Sequence, residues 1–343
     1  MSDAAAEQPQ VEKPKRNWRG WLKEYAVIVI GVLTALAVTS GSAHAAQVQA
    51  LKITVLVTNL AGNARGGDGE WGYSALVEAS GRKILYDTGS SPDMVLKNAR
   101  ALRVDLSDVE EVVLSHNHWD HVAGLMTLRR EFAKANPKAF SRVHVAARIF
   151  EPRLNAGGND QNGLRDIRAE YLATGGTFIV HDKPAELLPG LWLTGPVPRP
   201  HPEKNWSPGL SLRSANTLIE DNVPEDSALV IATGQGIVIL TGCGHAGIVN
   251  IAEYARTIVS GNPLLAVMGG IHLFAATDQA VQWTGARLKE FGLKTLLAGH
   301  CTGIEATYIL RQTAGLDRKT ALVSTVGSSF TLGRGITSGA LAQ

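Results

Sequence analysis

His116-Asn117-His118-Trp119-Asp120-His121 places four potential metal ligands within six residues. The segment follows an apolar run, Val112-Val113-Leu114-Ser115, and precedes a helical pattern from Val122 to Phe132 that only Gly124 interrupts. A buried strand therefore ends, and a helix begins, at the cluster. Imidazole and carboxylate together suit zinc and other first-row dications. His116 and His118 can point into one space from an extended turn. Asp120 and His121 enter the helix on a different azimuth, so the cluster can serve two adjacent metals. Histidines that merely faced solvent or filled a core would rarely have this strand-before, helix-after setting.

The 343 residues have room for one large domain or two ordinary ones, and 45% hydrophobic content with 36 glycines fits a compact protein with many turns. Formal net charge is +2 and the aromatic share 6%. No basic stripe interleaved with aromatics appears, which argues against a large nucleic-acid surface. Residues 1–45 read as an export signal. Lys13, Lys15, Arg16, Arg19 and Lys23 precede an apolar stretch of 13 residues, Ala26 to Val38, and Ala43-His44-Ala45 offers the small residues of a cleavage site. The expected product begins at Ala46, is periplasmic or secreted, and keeps no stable membrane span. The alternative is an uncleaved anchor through residues 26–38, short against the roughly 20 residues a span needs, with Trp18 and Trp21 at the interface. Without residues 1–45, which carry five Lys/Arg and four Asp/Glu, the chain is near neutral, with 28 Lys/Arg against 27 Asp/Glu.

Beyond Ala46 the pattern predicts one domain, 46–343, with strands at Leu51–Thr58, Ser74–Ala79, Lys83–Tyr86, Val112–Ser115 and Arg142–Ala146. Further strands are expected at Thr177–Val180, Leu191–Thr194, Ser227–Ala232, Ile237–Thr241, Pro263–Met268 and Lys294–Ala298. Helical patterns fall at Pro92–Leu102, Ile248–Ser260 and Ala280–Glu290. Residues 151–170 lack a steady apolar period and read as an excursion near the site rather than part of the core. Pro196 to Pro208, with five prolines, reads as a rigid exposed connection in which His201 is a plain loop histidine. Val323 to Phe330 is compatible with a closing edge strand. Hairpins early in each half, followed by alternating strand and helix, suggest two similar sheets covered by helices outside.

Ligands of open sheets lie beyond the carboxyl ends of the strands. That rule gathers Asp87, His116 to His121, Cys243 to His245, His272 and His300 into one candidate site. Gly242-Cys243-Gly244-His245-Ala246-Gly247, Gly269-Gly270-Ile271-His272-Leu273 and Gly299-His300-Cys301-Thr302-Gly303 each follow a strand. A single strand-end histidine is weak evidence, but three after successive strands are harder to dismiss. The two cysteines, Cys243 and Cys301, sit beside these histidines, which favours local roles over a stapling disulfide.

With its complete His-x-His-x-Asp-His signature and the Asp87-Thr88-Gly89 turn, the chain resembles the metallo-β-lactamase superfamily from about Leu51 to about Gly333. The three glycine-flanked segments resemble the branch typified by 7,8-dihydropterin-6-methyl-4-(β-D-ribofuranosyl)aminobenzene-5′-phosphate synthase. The resemblance implies an α+β fold, an αββα sandwich of two mixed sheets with helices on both outer faces, and a dinuclear centre at one edge. It implies two divalent ions, zinc first and manganese as the alternative. His116 and His118 would serve one, Asp120 and His121 the other, with His245 and His300 as later ligands. Many relatives have an aspartate where this chain has Cys243, which could bind or bridge the metals or pack behind them. That departure argues against β-lactam hydrolysis. Asp87 would orient a ligand histidine. His272 would contact the substrate as a proton donor or stand behind the ligands, and a ligand role exchanged with His245 is the other reading.

The expected activity is metal-dependent hydrolysis. A metal-bound hydroxide, available because zinc lowers the pKa of bound water to about 7, would attack an ester, phosphoester or related bond. Asp120 would orient the nucleophile and His272 stabilise the reacting oxygen. The substrate would be a small molecule, pterin-like or phosphorylated, with Asn59, Trp71 and residues 151–170 as a ring-binding wall. The alternatives are a dihydropterin-related synthase with a diphosphate leaving group, which fits an exported protein poorly, and a non-enzymatic metal- or ligand-binding protein. A mononuclear iron oxygenase of sulfur compounds is disfavoured by the complete Asp120-His121 pair.

Overall fold

Alternation along the hairpin Ala228–Thr233 and Gly236–Thr241 shows how the layers are built. Val230, Ala232, Ile237 and Ile239 face one apolar cluster, while Leu229, Ile231, Val238 and Leu240 face another. Strands that are apolar on both faces belong in a sheet covered on both sides. The structure is a computed structural model and describes residues 46–64, 66–214 and 217–342. The expected export signal or anchor over residues 1–45 lies outside the described residues.

Two mixed sheets stack face to face. From edge to edge, the eight-stranded sheet runs Gly335–Thr337, Ser329–Thr331, Leu51–Val57, Ser74–Ala79, Arg82–Tyr86, Glu111–Val113, Arg142–Ala146 and Thr177–His181. The seven-stranded sheet runs Ala321–Val323, Thr295–Ala298, Leu264–Gly269, Gly236–Thr241, Ala228–Thr233, Leu191–Leu193 and Ala185–Leu188. Each has antiparallel hairpins at one side and a parallel run at the other. Inner faces of both sheets form a shared core that includes Ile53, Val77, Ile84, Leu229, Leu240 and Met268. Helices Met94–Leu102, Leu125–Phe132 and Gly163–Ala173 cover the outside of the first sheet. Ile248–Ile258, Asp278–Glu290 and Ile304–Thr313 cover the second. The αββα sandwich is therefore realised, and none of the helices among the described residues is long and apolar enough to cross a membrane.

Three expectations are corrected. Residues 151–170 are not simply an excursion. Arg153–Leu154 joins a three-stranded sheet with Ser211–Ser214 and Thr217–Glu220, and the helix Gly163–Ala173 buries Leu164 and Tyr171 in the outer core. Leu164, Ile167 and Tyr171 form an i, i+3, i+7 stripe hidden in sequence by the charged residues between them. Residues 323–330 are not one edge strand. Ala321–Val323 closes the second sheet, and Ser329–Thr331 enters the first between Leu51–Val57 and Gly335–Thr337, so this segment crosses between sheets. Nor is 196–208 merely a connection: Glu203 is buried and accepts from the amides of Val249 and Asn250 at the start of a helix. His201 stays in the loop, paired with Glu253. The helix Ile304–Thr313 was not foreseen because it is apolar on several faces, burying Ala306 and Leu310 while exposing Ile304 and Tyr308.

Leu240 is fully buried in the layer shared by the sheets. Leu240→Ala is expected to cost about 2–5 kcal/mol, read as a lower denaturant midpoint at unchanged slope. A much smaller shift would show that this layer does not carry the fold.

Candidate metal centre

Every residue singled out for the site sits where a strand ends on one edge of the sandwich. Asp87 follows Arg82–Tyr86, and Ser115 to His121 follow Glu111–Val113. Cys243 and His245 follow Gly236–Thr241, His272 follows Leu264–Gly269, and His300 follows Thr295–Ala298. Asp87, His272 and His300 all have positive φ, near +50°, a conformation costly for non-glycine residues and concentrated at functional turns. Gly242 is required by space alone, since a Cβ there would lie 2.1 Å from Ser115 Oγ and 2.5 Å from Asp87 Oδ2.

Two groups of donors result. The ligand atoms of His116, His118 and His245 lie within 4.8 Å of one another, and so do those of Asp120, His121 and His300. Cys243 falls within the same distance of both His116 and His121, and also of His245 with His272. In the second group His300 Nε2 is 3.2 Å from Asp120 Oδ2 and 3.3 Å from His121 Nε2, and Cys243 Sγ is 3.2 Å from His121 Nε2. Donors about 2.0–2.1 Å from a tetrahedral zinc stand roughly 3.3–3.4 Å apart. The second group thus has nearly the spacing a bound dication imposes.

Each of four imidazoles is held through Nδ1, leaving Nε2 to point inward. His121 Nδ1 donates to Asp87 Oδ2 at 2.7 Å, and His116 Nδ1 to Ser115 Oγ at 2.8 Å. Ser115 Oγ in turn donates to Asp87 Oδ2 at 2.8 Å, and Ser115 N to Asp87 Oδ1 at 2.7 Å. The Asn205 carbonyl accepts from His245 Nδ1 at 2.5 Å, and Asn59 Oδ1 from His300 Nδ1 at 3.2 Å. These partners select the tautomer whose Nε2 carries a lone pair. Nε2 of His116 and of His245 is buried without a hydrogen-bond partner. Buried polar atoms are rarely left so, and a dication is the partner this donor set fits.

Electrostatics agree. Burial, reinforced by neighbouring imidazoles, holds His116 and His245 well below the ordinary histidine value. Burial also brings His118 down to about 4, against the pull of Asp120. These three are neutral, as ligands must be. In the second group burial opposes both charges, yet the mutual attraction wins: Asp120 and Asp87 raise His121 to about 9, and His121 with His300 holds Asp120 well below the carboxylate range. A cation arriving there would take the place of the His121 proton. Burial pushes the Cys243 thiol well up.

A cavity of about 260 Å³ opens over the donors, walled by Trp71, Trp119, Ser207, Leu210 and Phe274, with His118, Asp120, Cys243, His272 and His300 at its floor and side. The His272 ring lies 4.5 Å from that of His245, tilted by 51°, with Nε2 3.4 Å from Ser207 Oγ and a buried, unpartnered Nδ1. Both cysteines are buried free thiols, and Cys301 Sγ lies 3.7 Å from the Cys243 carbonyl. Ser207 of the proline-rich loop and Leu210 just beyond it, not residues 151–170, line this cavity. Asn59 is turned to His300 and, with Trp71, lines a neighbouring cavity. Ser115, Asn59 and Asn205 escaped notice as imidazole anchors. Only Ser115 had a sequence signal, its place directly before His116.

The fold and this edge define a class: the chain belongs to the metallo-beta-lactamase superfamily. The superfamily's profile matches residues 69–139, which contain the His116–His121 cluster. The chain is 30% identical over 268 residues to 7,8-dihydropterin-6-methyl-4-(beta-D-ribofuranosyl)-aminobenzene-5′-phosphate synthase of Methanocaldococcus jannaschii, covering 76% of this chain and 90% of that protein. An uncharacterized protein of the same organism is 27% identical over 241 residues, 70% of this chain and 87% of its own. A solved metal-dependent hydrolase of the beta-lactamase superfamily superposes with a TM-score of 0.64 at 26% identity, over 81% of this chain and 98% of that one.

Asp87→Asn is expected to weaken metal binding about 10- to 100-fold, as loss of a ligand's carboxylate partner commonly does; unchanged affinity by competitive chelator titration would refute the anchoring role. Cys243 is expected to react slowly with an alkylating reagent in metal-loaded protein and faster after chelation. Cys243→Asp should hold metal better than Cys243→Ser. Equal metal affinity in wild type and both variants would leave Cys243 a packing residue.

Proposed function

We propose that this protein is a dinuclear metal-dependent hydrolase acting on an ester, phosphoester or related bond of a small molecule. The observation that carries the reading is the pair of three-donor groups, four of whose imidazoles are anchored through Nδ1, beneath a cavity of substrate size. His116, His118 and His245 would hold one dication and Asp120, His121 and His300 the other, with Cys243 between them. Zinc suits the imidazole-rich set with a thiol, manganese less so. When bound, two such cations acidify water and neutralise negative charge on the reacting group.

The chain's own groups then have distinct tasks. Asp120 is fixed between His121 and His300, so it orients rather than acting as a free base. His272 stands beside the cavity with Nε2 near Ser207 Oγ, placed to hand a proton to the departing oxygen. Trp71, Trp119 and Phe274 would form apolar walls for the substrate around the opening.

A second reading is transfer chemistry with a diphosphate leaving group on a pterin-like substrate. It is favoured by the 30% identity across 90% of a synthase. Both readings ask the centre to carry a departing or attacked oxygen, and the product distinguishes them. We further propose export, with residues 1–45 removed. Among the described residues, Val48 N donates to the Ala232 carbonyl shortly after the expected cleavage point. N-terminal sequencing of native protein should begin at Ala46; a retained Met1 refutes cleavage.

Protein purified without chelator is expected to carry up to two dications per chain and to hydrolyse members of an ester and phosphoester panel. Joint replacement of His116 and His118 by alanine should empty at least one site and lower turnover on the order of 10³-fold, a loss equivalent to several kcal/mol of stabilisation. Full metal content with unchanged turnover would overturn the assignment, whereas metals without turnover on any substrate would leave a binding protein.

A further inference from the structure

Cys243 and Cys301 follow two strands, Gly236–Thr241 and Thr295–Ala298, that flank a third, Leu264–Gly269, in the seven-stranded sheet. Just past its end the middle strand gives Gly270. A Cβ there would lie 2.8 Å from Cys301 Sγ and 3.3 Å from Cys243 Cα. The missing side chain is what lets the cysteines meet across the intervening strand. Cys301 Sγ reaches to 3.7 Å from the Cys243 carbonyl. The two sulfurs and a ring nitrogen of His300 all lie within 4.8 Å of one another.

The Cys243 sulfur therefore stands at a fork. On one side it is 3.2 Å from His121 Nε2, among the metal donors. On the other it faces Cys301, whose sulfur belongs to neither of the two groups assigned to dications. A disulfide holds its sulfurs at about 2.05 Å. From a start within 4.8 Å, closing the bond asks for about 2.8 Å at most, shared between two side chains. The residues are only 2% and 1% exposed, yet both line the 260 Å³ cavity over the donors. A small oxidant that enters this cavity meets them there.

We propose that Cys243 and Cys301 are a redox-sensitive pair, oxidised by a small peroxide to a disulfide that withdraws the Cys243 sulfur from the metal donors. One thiolate attacks the peroxide, the O–O bond breaks, and the departing hydroxide takes a proton to leave as water. The second sulfur attacks the sulfenic acid so formed; the S–S bond forms, the S–O bond breaks and a second water leaves. Two thiols lose two electrons, and one peroxide is reduced to two waters. A bound dication competes, because a coordinated sulfur is held away from its partner. Loss of metal opens the pair to oxidation, and the bond then hinders reloading until a reductant breaks it. The bond itself stands independently of the metal-dependent reading above; its effect on the centre rests on that reading.

The test uses full-length protein, chelated or zinc-loaded, treated with stoichiometric hydrogen peroxide and digested without reductant. A linked Cys243–Cys301 peptide is expected from the chelated protein, with both free thiols lost and a thiol reductant restoring them. Zinc loading should slow its formation about tenfold or more. By competitive titration the oxidised protein should bind zinc about 10- to 100-fold more weakly, with affinity recovered on reduction. Cys301→Ser should yield no linked peptide and should bind zinc as the reduced wild type does. Oxygen added to either cysteine without a linked peptide, equal rates with and without bound zinc, or unchanged zinc affinity once the bond has formed overturns the proposal. Reduced wild-type protein that takes up no zinc would instead refute the metal-dependent reading, and the linked peptide would still report on the pair.

Discussion

The Asp87 carboxylate is the constraint on which the candidate metal centre depends. It accepts three hydrogen bonds, from Ser115 N, Ser115 Oγ and His121 Nδ1, and through Ser115 Oγ it also fixes His116. Hydrogen bonds to a charged group contribute about 1.5–3 kcal/mol each, though such a set does not add independently. Their structural effect is clearer than their sum. One carboxylate at the end of Arg82–Tyr86 sets the ring planes of two histidines belonging to different donor groups, and Gly242 from the other sheet must pass it without a Cβ. The spacing between the groups is thereby tied to the stacking of the two sheets.

The opposite wall solves the same problem with neutral partners. A backbone carbonyl from the proline-rich loop holds His245, and the Asn59 side chain holds His300. Without a cation the result is locally unfavourable: His116 lies within 4.2–4.8 Å of the rings of His118, His121 and His245. Buried imidazole nitrogens converge there, and Nε2 of His116 and of His245 has no hydrogen-bond partner. The apolar layers on both faces of each sheet supply the stability that tolerates this arrangement, so folding and metal binding draw on different parts of the molecule.

That division explains what could be read from the sequence. Strand ends and their histidines were legible because period-two burial, glycine turns and the close His116–His121 spacing are local signals. The αββα layering followed from hairpins and alternating elements repeated in each half. The anchors were illegible for a reason of distance: Asn59 meets His300 across 241 residues, and Asn205 reaches His245 from a loop whose prolines suggested a bare connection. The crossing at 323–330 was hidden similarly, since two short strands of different sheets lie within one apolar run. Residues 163–173 misled because their buried stripe is narrow and surrounded by charge.

Cys243 would give the proposed chemistry its particular cast. Its sulfur reaches members of both donor groups, and burial keeps the thiol protonated until a cation displaces the proton. A thiolate shared by two cations would donate more charge than a carboxylate oxygen and favour zinc over harder ions. The same donation would lower the effective positive charge available to acidify water. Under the proposed function, a centre of this kind would be better matched to a bond whose leaving oxygen carries charge well, such as a phosphoester or diphosphate, than to an amide. On this point the hydrolytic and transfer readings converge, because each places the oxygen at the metals and leaves recognition of the rest of the molecule to the walls around it.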